Sequence, residues 1–466
     1  LNMPRFLDVL LAGLLLSTSM TYAGVTPAER LGEAIQFQTV SYQDHSQIDL
    51  NEFERFHAFL RAAYPRVFAQ LEVEVINQYS LLISWPGSDS SLAPILFTAH
   101  MDVVPIESGT ESDWEYPPFD GVVADGRIYG RGSLDDKQGL LSIMEAAESL
   151  LAEGFVPSRQ LVFAFGHDEE ISGKQGAGKI AERMREQGLH FAWMVDEGGM
   201  LVSDNPMIPD QQLAIINVAE KGYLTLTLVA TGPGGHSSIP PRVSTIGRLS
   251  AALERIENNP FPTRLVVPVK VMLESMAPHL EQPQRLILGN LWLTQGLVTD
   301  RLSQDPLMNS FVRTTTALTM FNAGLKENVV PQRAEAKVNF RLLPGDTPEM
   351  VVSYISEVVD DPEIEISHDK WDHVSSISDH EGSGYAVIEE AVLAVYPRAL
   401  VVPSLMFATT DTRHYIELTD NQYRFQGMMI ETLQAKSIHG TNEYIGVKSY
   451  EDSIEVARQM MKLGSR

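Results

Sequence analysis

Three short apolar runs in this chain each end on a cluster of histidines and carboxylates. Residues 94–99 lead into Thr98-Ala99-His100-Met101-Asp102, residues 160–165 into His167-Asp168-Glu169-Glu170, and residues 191–195 into Asp196-Glu197-Gly198-Gly199. Runs this short and this continuously apolar read as strands buried on both faces. Stretches of helical spacing lie around them, at 52–63 and at 138–153, the latter ending at Gly154. Strands alternating with helices of that length give a mainly parallel sheet sandwiched by helices. An open sheet of this kind binds its ligands at the carboxyl ends of its strands. The three clusters therefore fall where such a fold places a site.

The pattern changes near Val218. Leu224, Leu226 and Leu228 alternate with Thr225 and Thr227, which is the period of a strand with one apolar face. A Gly/Pro/Ser loop at 232–241, a helix at 244–257, alternating strands at 313–321 and 334–342, and a helix at 347–360 follow. This order reads as a smaller α+β domain at 218–369, inserted into a larger α/β domain made of 24–217 and 370–466. Residues 260–311 have no clear place in it, and Pro260, Pro262, Pro268, Pro278 and Pro283 break any long helix there.

Charge and cysteine count narrow the chemistry. The 466 residues carry a net charge of -26, which repels nucleic-acid phosphates and anionic membranes. There is no cysteine, so a metal would have to be held by His, Asp and Glu. Arg5, an apolar run from Val9 to Leu16 and Thr21-Tyr22-Ala23 read as a signal peptide over residues 1–23. The expectation is a secreted or periplasmic protein with no stable membrane insertion after cleavage.

Two further clusters complete the set. Gly130-Arg131-Gly132-Ser133-Leu134-Asp135-Asp136-Lys137 frames a turn that delivers carboxylates, and Ser437-Ile438-His439-Gly440-Thr441 lies far along the chain. Each cluster alone has an ordinary reading: a paired core histidine, a solvated helix start or a helix cap. Together, at strand ends, the carboxylates would repel one another unless cations sat between them. Two zinc-like ions sharing one bridging carboxylate resolve the repulsion, each taking one His and one private carboxylate besides the bridge.

The phrases TAHMDVVP, GRGSLDDK, HDEE, GHSS, NVVP and SIHGTNEYI stand in this order along the chain. In them the chain resembles the di-zinc metallopeptidase and aminoacylase family that includes glutamate carboxypeptidase and acetylornithine deacetylase. GRGSLDDK and HGTNEYI look most like its carboxypeptidase S branch. The resemblance implies two zinc ions per chain, with cobalt or manganese as substitutes. It implies that His100, Asp135 and Asp196 hold one ion, that Asp135, Glu170 and His439 hold the other, and that Asp102 orients His100. Glu169 becomes the general base for a hydrolytic water. His236 resembles the histidine that stabilises the tetrahedral oxyanion, which in dimeric members comes from the partner chain of a homodimer. Asn328, Arg341 and Thr410 take substrate-binding roles, Arg341 by gripping a carboxylate. The inserted domain corresponds to the family's lid or dimerisation domain.

The leading expectation is a carboxypeptidase acting on short peptides with a free C-terminal carboxylate. The alternative is an aminoacylase-type amidohydrolase cleaving N-acyl amino acids, and the remote one a non-catalytic binding protein on a hydrolase fold. The remote reading would call for a lost ligand or a lost Glu169, and all are present.

Overall fold

The computed structural model describes residues 24–209, 211–371 and 375–466. The expected signal peptide at 1–23 lies outside the described residues. The chain first lays down β1 (Glu72–Ile76), β2 (Ser80–Trp85), β3 (Ile95–His100), β4 (Leu161–Gly166), β5 (Trp193–Asp196), β6 (Leu201–Val202) and β7 (Leu213–Glu220). It then passes through Lys221 straight into β8 (Gly222–Thr231), which opens a second sheet with β9 (Thr315–Ala323), β10 (Arg333–Leu342) and β11 (Ile364–Trp371). It returns to the first sheet with β12 (Leu400–Met406), β13 (Gln422–Arg424) and β14 (Met429–Ile430).

The first sheet runs β1-β2-β4-β3-β5-β13-β7-β6-β14, with β12 paired to β7. Parallel pairs at its centre join β3 to β4 and β5, and β13 to β5. Every residue of β3 and β4 is buried, because helices cover both faces. On one face Phe97, Phe163, Trp193 and Tyr423 pack with the helices Lys137–Ala152 and Val447–Gly464. On the other, Leu96, Val162 and Met194 meet Ile180 and Met184 of the helix Ala177–Glu186. The sheet is mixed at its edge, since β2 pairs antiparallel with both β1 and β4.

The second sheet is wholly antiparallel, in the order β9-β10-β8-β11. Leu224, Leu226 and Leu228 of β8 point into a core closed by the helices Thr245–Asn258 and Pro348–Val359. The proline-broken stretch between these layers forms the helices Val267–Met276, Gln284–Leu288, Leu291–Leu302 and Pro306–Val312. Pro268 and Pro306 sit in first turns, where a missing N–H costs nothing. Val269, Leu273 and Met276 bury against Leu213, Val402 and Leu405, so this stretch packs onto the first sheet.

Where β7 crosses into β8, a buried polar network fixes the crossing. Arg424 is fully buried with its Nε 3.3 Å from Glu220 Oε2. The same Glu220 oxygen accepts from the backbone N–H of Thr410 (3.1 Å) and from the Thr412 hydroxyl (3.2 Å). Lys221 Nζ donates to the carbonyls of Ser310 (2.9 Å) and Arg313 (2.8 Å), tying the strand to the start of β9. Removing Arg424 leaves Glu220 as a buried charge without its cation. Arg424→Ala is expected to lower the unfolding free energy by about 3–5 kcal/mol. Urea denaturation measures this, and a loss below about 1 kcal/mol, the scale of an exposed pair, would show that the pair does not fix the crossing.

Candidate active site

Carboxyl ends of β3, β4 and β5 converge with two loops. His100 is the last residue of β3, and its Nδ1 lies 2.9 Å from the carbonyl oxygen of Asp102. A carbonyl only accepts, so Nδ1 carries the hydrogen and neutral His100 presents a lone pair on Nε2. That Nε2 faces Asp135 Oδ1 at 3.0 Å and Glu197 Oε1 at 3.5 Å. Lone pair against carboxylates is repulsive unless a proton or a metal cation lies between them. Without a metal the proton is favoured: burial alone would lower the His100 pKa, but Glu197, Asp102 and Asp135 together hold it well above its ordinary value.

Asp135 arrives on the turn Gly130–Asp136, immediately before the helix Lys137–Ala152. Gly132 has φ +88, and a Cβ there would lie 2.8 Å from the Val103 side chain. That turn therefore needs glycine. The second Asp135 oxygen faces His439 Nε2 at 3.0 Å, and Glu170 Oε2 lies 3.3 Å from the same nitrogen. His439 has φ +60 and its side chain is about half exposed. Asp135 and Glu170 push its pKa up to about 10. Burial raises the Asp135 carboxyl, but His100 and His439 outweigh it and hold that carboxyl below its ordinary range. Burial and then Asp135 push the Glu197 carboxyl up to about 8. Burial pushes Glu170 and Glu169 up too, aided by Asp135 and Glu197 respectively.

The Asp102 carboxylate accepts from the backbone N–H of Glu169 (3.1 Å) and of Glu170 (3.2 Å). One buried side chain thus aligns the turn after β4 with His100 at the end of β3. Neighbouring Asp136 accepts from the His100 backbone N–H (3.2 Å) and from the Gln426 side chain. Glu169 belongs to neither acidic triad and lies 3.6 Å from the Arg413 guanidinium.

Two triads are compact enough to hold a metal ion: His100, Asp135 and Glu197, and Asp135, Glu170 and His439. Their donors are imidazole nitrogen and carboxylate oxygen, suited to zinc and similar divalent ions. Glu170 Oε1 and Asp196 Oδ2 are buried without a hydrogen-bond partner, as expected where a cation would be neutralised. The donor set fits two divalent ions sharing Asp135.

Two residues named from the sequence meet a geometry of their own. The compact triad around His100 contains Glu197, while the adjacent Asp196, the ligand the resemblance implies, keeps a buried Oδ2 without a partner. The chain turns just past β5, where Gly198 takes φ +111 and packs so closely on Met406 that a Cβ would lie 2.5 Å from its sulfur. Glu197 is the residue aimed at His100 there, while Asp196 still belongs to the strand. Thr410 is buried, with its backbone N–H and its hydroxyl both directed at Glu220. In that loop Arg413 is the residue that reaches the site, at Glu169.

Other sequence candidates lie on the second sheet's side of the molecule. His236 is exposed on a short ribbon in which Gly235–His236 pairs with Val329–Val330, and its Nδ1 accepts from the Ser238 backbone N–H (3.1 Å). Asn328 is exposed beside it, its carbonyl accepting from Ser237 (3.2 Å). Arg341 is on β10 opposite Tyr223, with its guanidinium 4.9 Å from that ring's centroid. All three stand outside both triads. The sequence assigns no role to Asp136, Glu197 or Arg413; for the two acids the doublets Asp135-Asp136 and Asp196-Glu197 are the available signal.

Residues 96–463 match the model of peptidase family M20/M25/M40. A Dictyostelium discoideum protein named probable carboxypeptidase S-like 2 is 36% identical over 450 residues, 95% of this chain and 86% of that one. The Mus musculus N-fatty-acyl-amino acid synthase/hydrolase PM20D1 is 38% identical over 439 residues, 92% of this chain and 85% of that one. Among solved structures, the M20 family metallo-carboxypeptidase Sso-CP2 from Sulfolobus solfataricus superposes with a TM-score of 0.66 at 18% identity, covering 94% of this chain and 99% of that one. No helix among the described residues is long and apolar enough to cross a membrane.

Replacing Glu197 with Ala removes one donor from the first triad only. The expected result is a weakening of one of two divalent-ion affinities by at least the ~10–100-fold typical of disturbing a metal's outer ligand shell. Calorimetric titration with zinc reads both affinities. If Asp196→Ala, rather than Glu197→Ala, produced that loss, the ligand would be Asp196.

Proposed function

The chain belongs to peptidase family M20/M25/M40, and from that premise we propose that it is a two-zinc carboxypeptidase of the carboxypeptidase S type. Its substrates are short peptides with a free C-terminal carboxylate. The observation that carries this reading is the pair of triads joined at Asp135, with Glu169 beside them but in neither. His100, Asp135 and Glu197 would hold one ion, and Asp135, Glu170 and His439 the other. When bound, the two ions would lower the pKa of a shared water and polarise the scissile carbonyl.

Everything else is done by the chain's own side chains. Asp102 keeps His100 in one tautomer and aligns the turn that carries Glu169 and Glu170. Glu169 takes the attacking water's proton as its oxygen adds to the carbonyl carbon, and then gives that proton to the departing amine. Arg413, 3.6 Å away, favours the ionised Glu169 that accepts the proton. Arg341 grips the substrate's carboxylate, a task suited to a planar fork of donors in an otherwise acidic chain. His236, exposed on its ribbon, is offered to the oxyanion, and in a homodimer it would be supplied to the second copy.

A second reading is favoured by the relatives named N-fatty-acyl-amino acid synthase/hydrolase in Mus musculus and Bos taurus. Hydrolysis of N-acyl amino acids uses the same ions, base and carboxylate grip and differs only in what occupies the acyl side. A paired panel of dipeptides and N-acyl amino acids, each with free and amidated carboxyl ends, separates the two. The peptidase reading expects dipeptides with a free carboxylate to be cleaved best. Preference for N-acyl amino acids would select the second reading, and cleavage of neither set would contradict both.

Glu169→Gln keeps the side chain's shape and removes its basicity. Metal content and folding are expected to persist while kcat falls by at least ~10²–10⁴-fold. Near-normal turnover at full metal content would remove Glu169 from the proton path.

A further inference from the structure

Arg131 and Glu443 are both buried and ion-paired, yet neither holds a metal nor touches the reacting groups in the mechanism above. The Glu443 side chain is fully buried, and its two oxygens face two different tasks. Oε1 accepts from the backbone N–H groups of Gly132 (3.1 Å), Leu134 (2.7 Å) and Asp135 (3.3 Å). Oε2 accepts from Arg131 at 2.5 Å. A second nitrogen of the same guanidinium donates to the carbonyl of Gly440, the residue after His439, at 2.9 Å. The backbone closes the ring, because Gly130 N–H donates to the Glu443 carbonyl (2.9 Å).

These contacts fasten the turn that carries Asp135 to the loop that carries His439, across 312 positions of sequence. Resting on the two-ion reading above, we propose that Arg131 and Glu443 are positioning residues that set the Asp135–His439 spacing and thereby the affinity of the second triad. Stability alone is a poor reason for the pair. Desolvating two charges costs about as much as their attraction returns, and an apolar pair of equal volume would often do as well. Geometry is a better reason, since a fork of donors and a carboxylate fix direction as well as distance. His439 needs such help. It sits at φ +60 on a loop, half exposed, whereas His100 is held inside a buried strand.

The two triads should differ in their dependence on this clamp. The His100 triad keeps its own anchors: β3, the turn after β5, and Asp136, which bonds the His100 N–H and the Gln426 side chain. Around Gly440 the guanidinium of Arg131 is the link to the Asp135 turn.

Glu443→Gln tests this. The amide oxygen can still cap the turn's N–H groups, but its NH2 then faces Arg131 and the ion pair is lost. Zinc titration of metal-free protein by calorimetry reads both affinities, His439→Ala identifies which phase belongs to the second triad, and thermal unfolding of the metal-free form reports folding. The expected result is a selective ~10–100-fold weakening of the second-triad phase, with the first within about threefold of wild type. Arg131→Lys keeps the charge but not the fork, and serves as the second variant if Glu443→Gln does not fold; it should weaken the same phase. Two unchanged affinities, or equal weakening of both, would overturn the clamp while leaving the two-ion reading intact. Wild-type protein that takes up only one zinc would overturn the two-ion reading, and the clamp with it.

Discussion

Carboxylates crowded at the strand ends cannot all remain charged in a buried space without cations among them. Asp135 lies between two imidazoles, with Glu170 and Glu197 beside it, while burial and then Glu197 push Glu169 and Asp136 above their ordinary range. Such a cluster must take up protons or take up metal. His100 meets either demand at Nε2. Its Nδ1 hydrogen goes to the Asp102 carbonyl, so Nε2 meets two carboxylates as a lone pair. A divalent ion satisfies that nitrogen and both acids at once, and the same holds for His439 with Asp135 and Glu170.

What surrounds the cluster keeps those groups close despite their repulsion. Asp102 ties β3 to the turn after β4, Asp136 ties the helix start to β3, and Glu443 ties the Asp135 turn to the His439 loop. Each uses a buried carboxylate to accept backbone N–H groups, which is an expensive way to build a turn and a precise way to aim one. One step further out, Glu220 and Arg424 fasten the loop that carries Arg413 to the strand crossing between the sheets. The acid cluster and the crossing are therefore joined through that loop, whose Arg413 lies 3.6 Å from Glu169.

The sequence made some of this legible and hid the rest for physical reasons. Continuous apolar runs marked β3, β4 and β5, because strands covered on both faces have no polar alternation to confuse them. Alternating Leu and Thr marked β8, the strand that opens the second sheet. His100, Asp135, Glu170 and His439 are named through the resemblance carried by the phrases in which they stand, and the fold brings all four together. That Glu197 as well as Asp196 comes near His100 was hidden: they are adjacent, and the direction Glu197 takes depends on a turn at Gly198 shaped by Met406, distant in sequence. Thr410 is named through the resemblance alone, and Glu220 claims its hydroxyl from another strand, a contact no local pattern announces. Glu443 stands inside the phrase SIHGTNEYI, but its task shows only when the fold brings Arg131 to it.

The central claim is that the acids are held close for two metal ions bridged by Asp135. Anomalous diffraction at the zinc edge, on crystals of zinc-loaded protein, tests it most directly. The expected map has two peaks flanking the Asp135 carboxylate, one with His100 and Glu197 and the other with Glu170 and His439. A single peak at saturating zinc, or peaks that leave Asp135 unligated, would contradict the account.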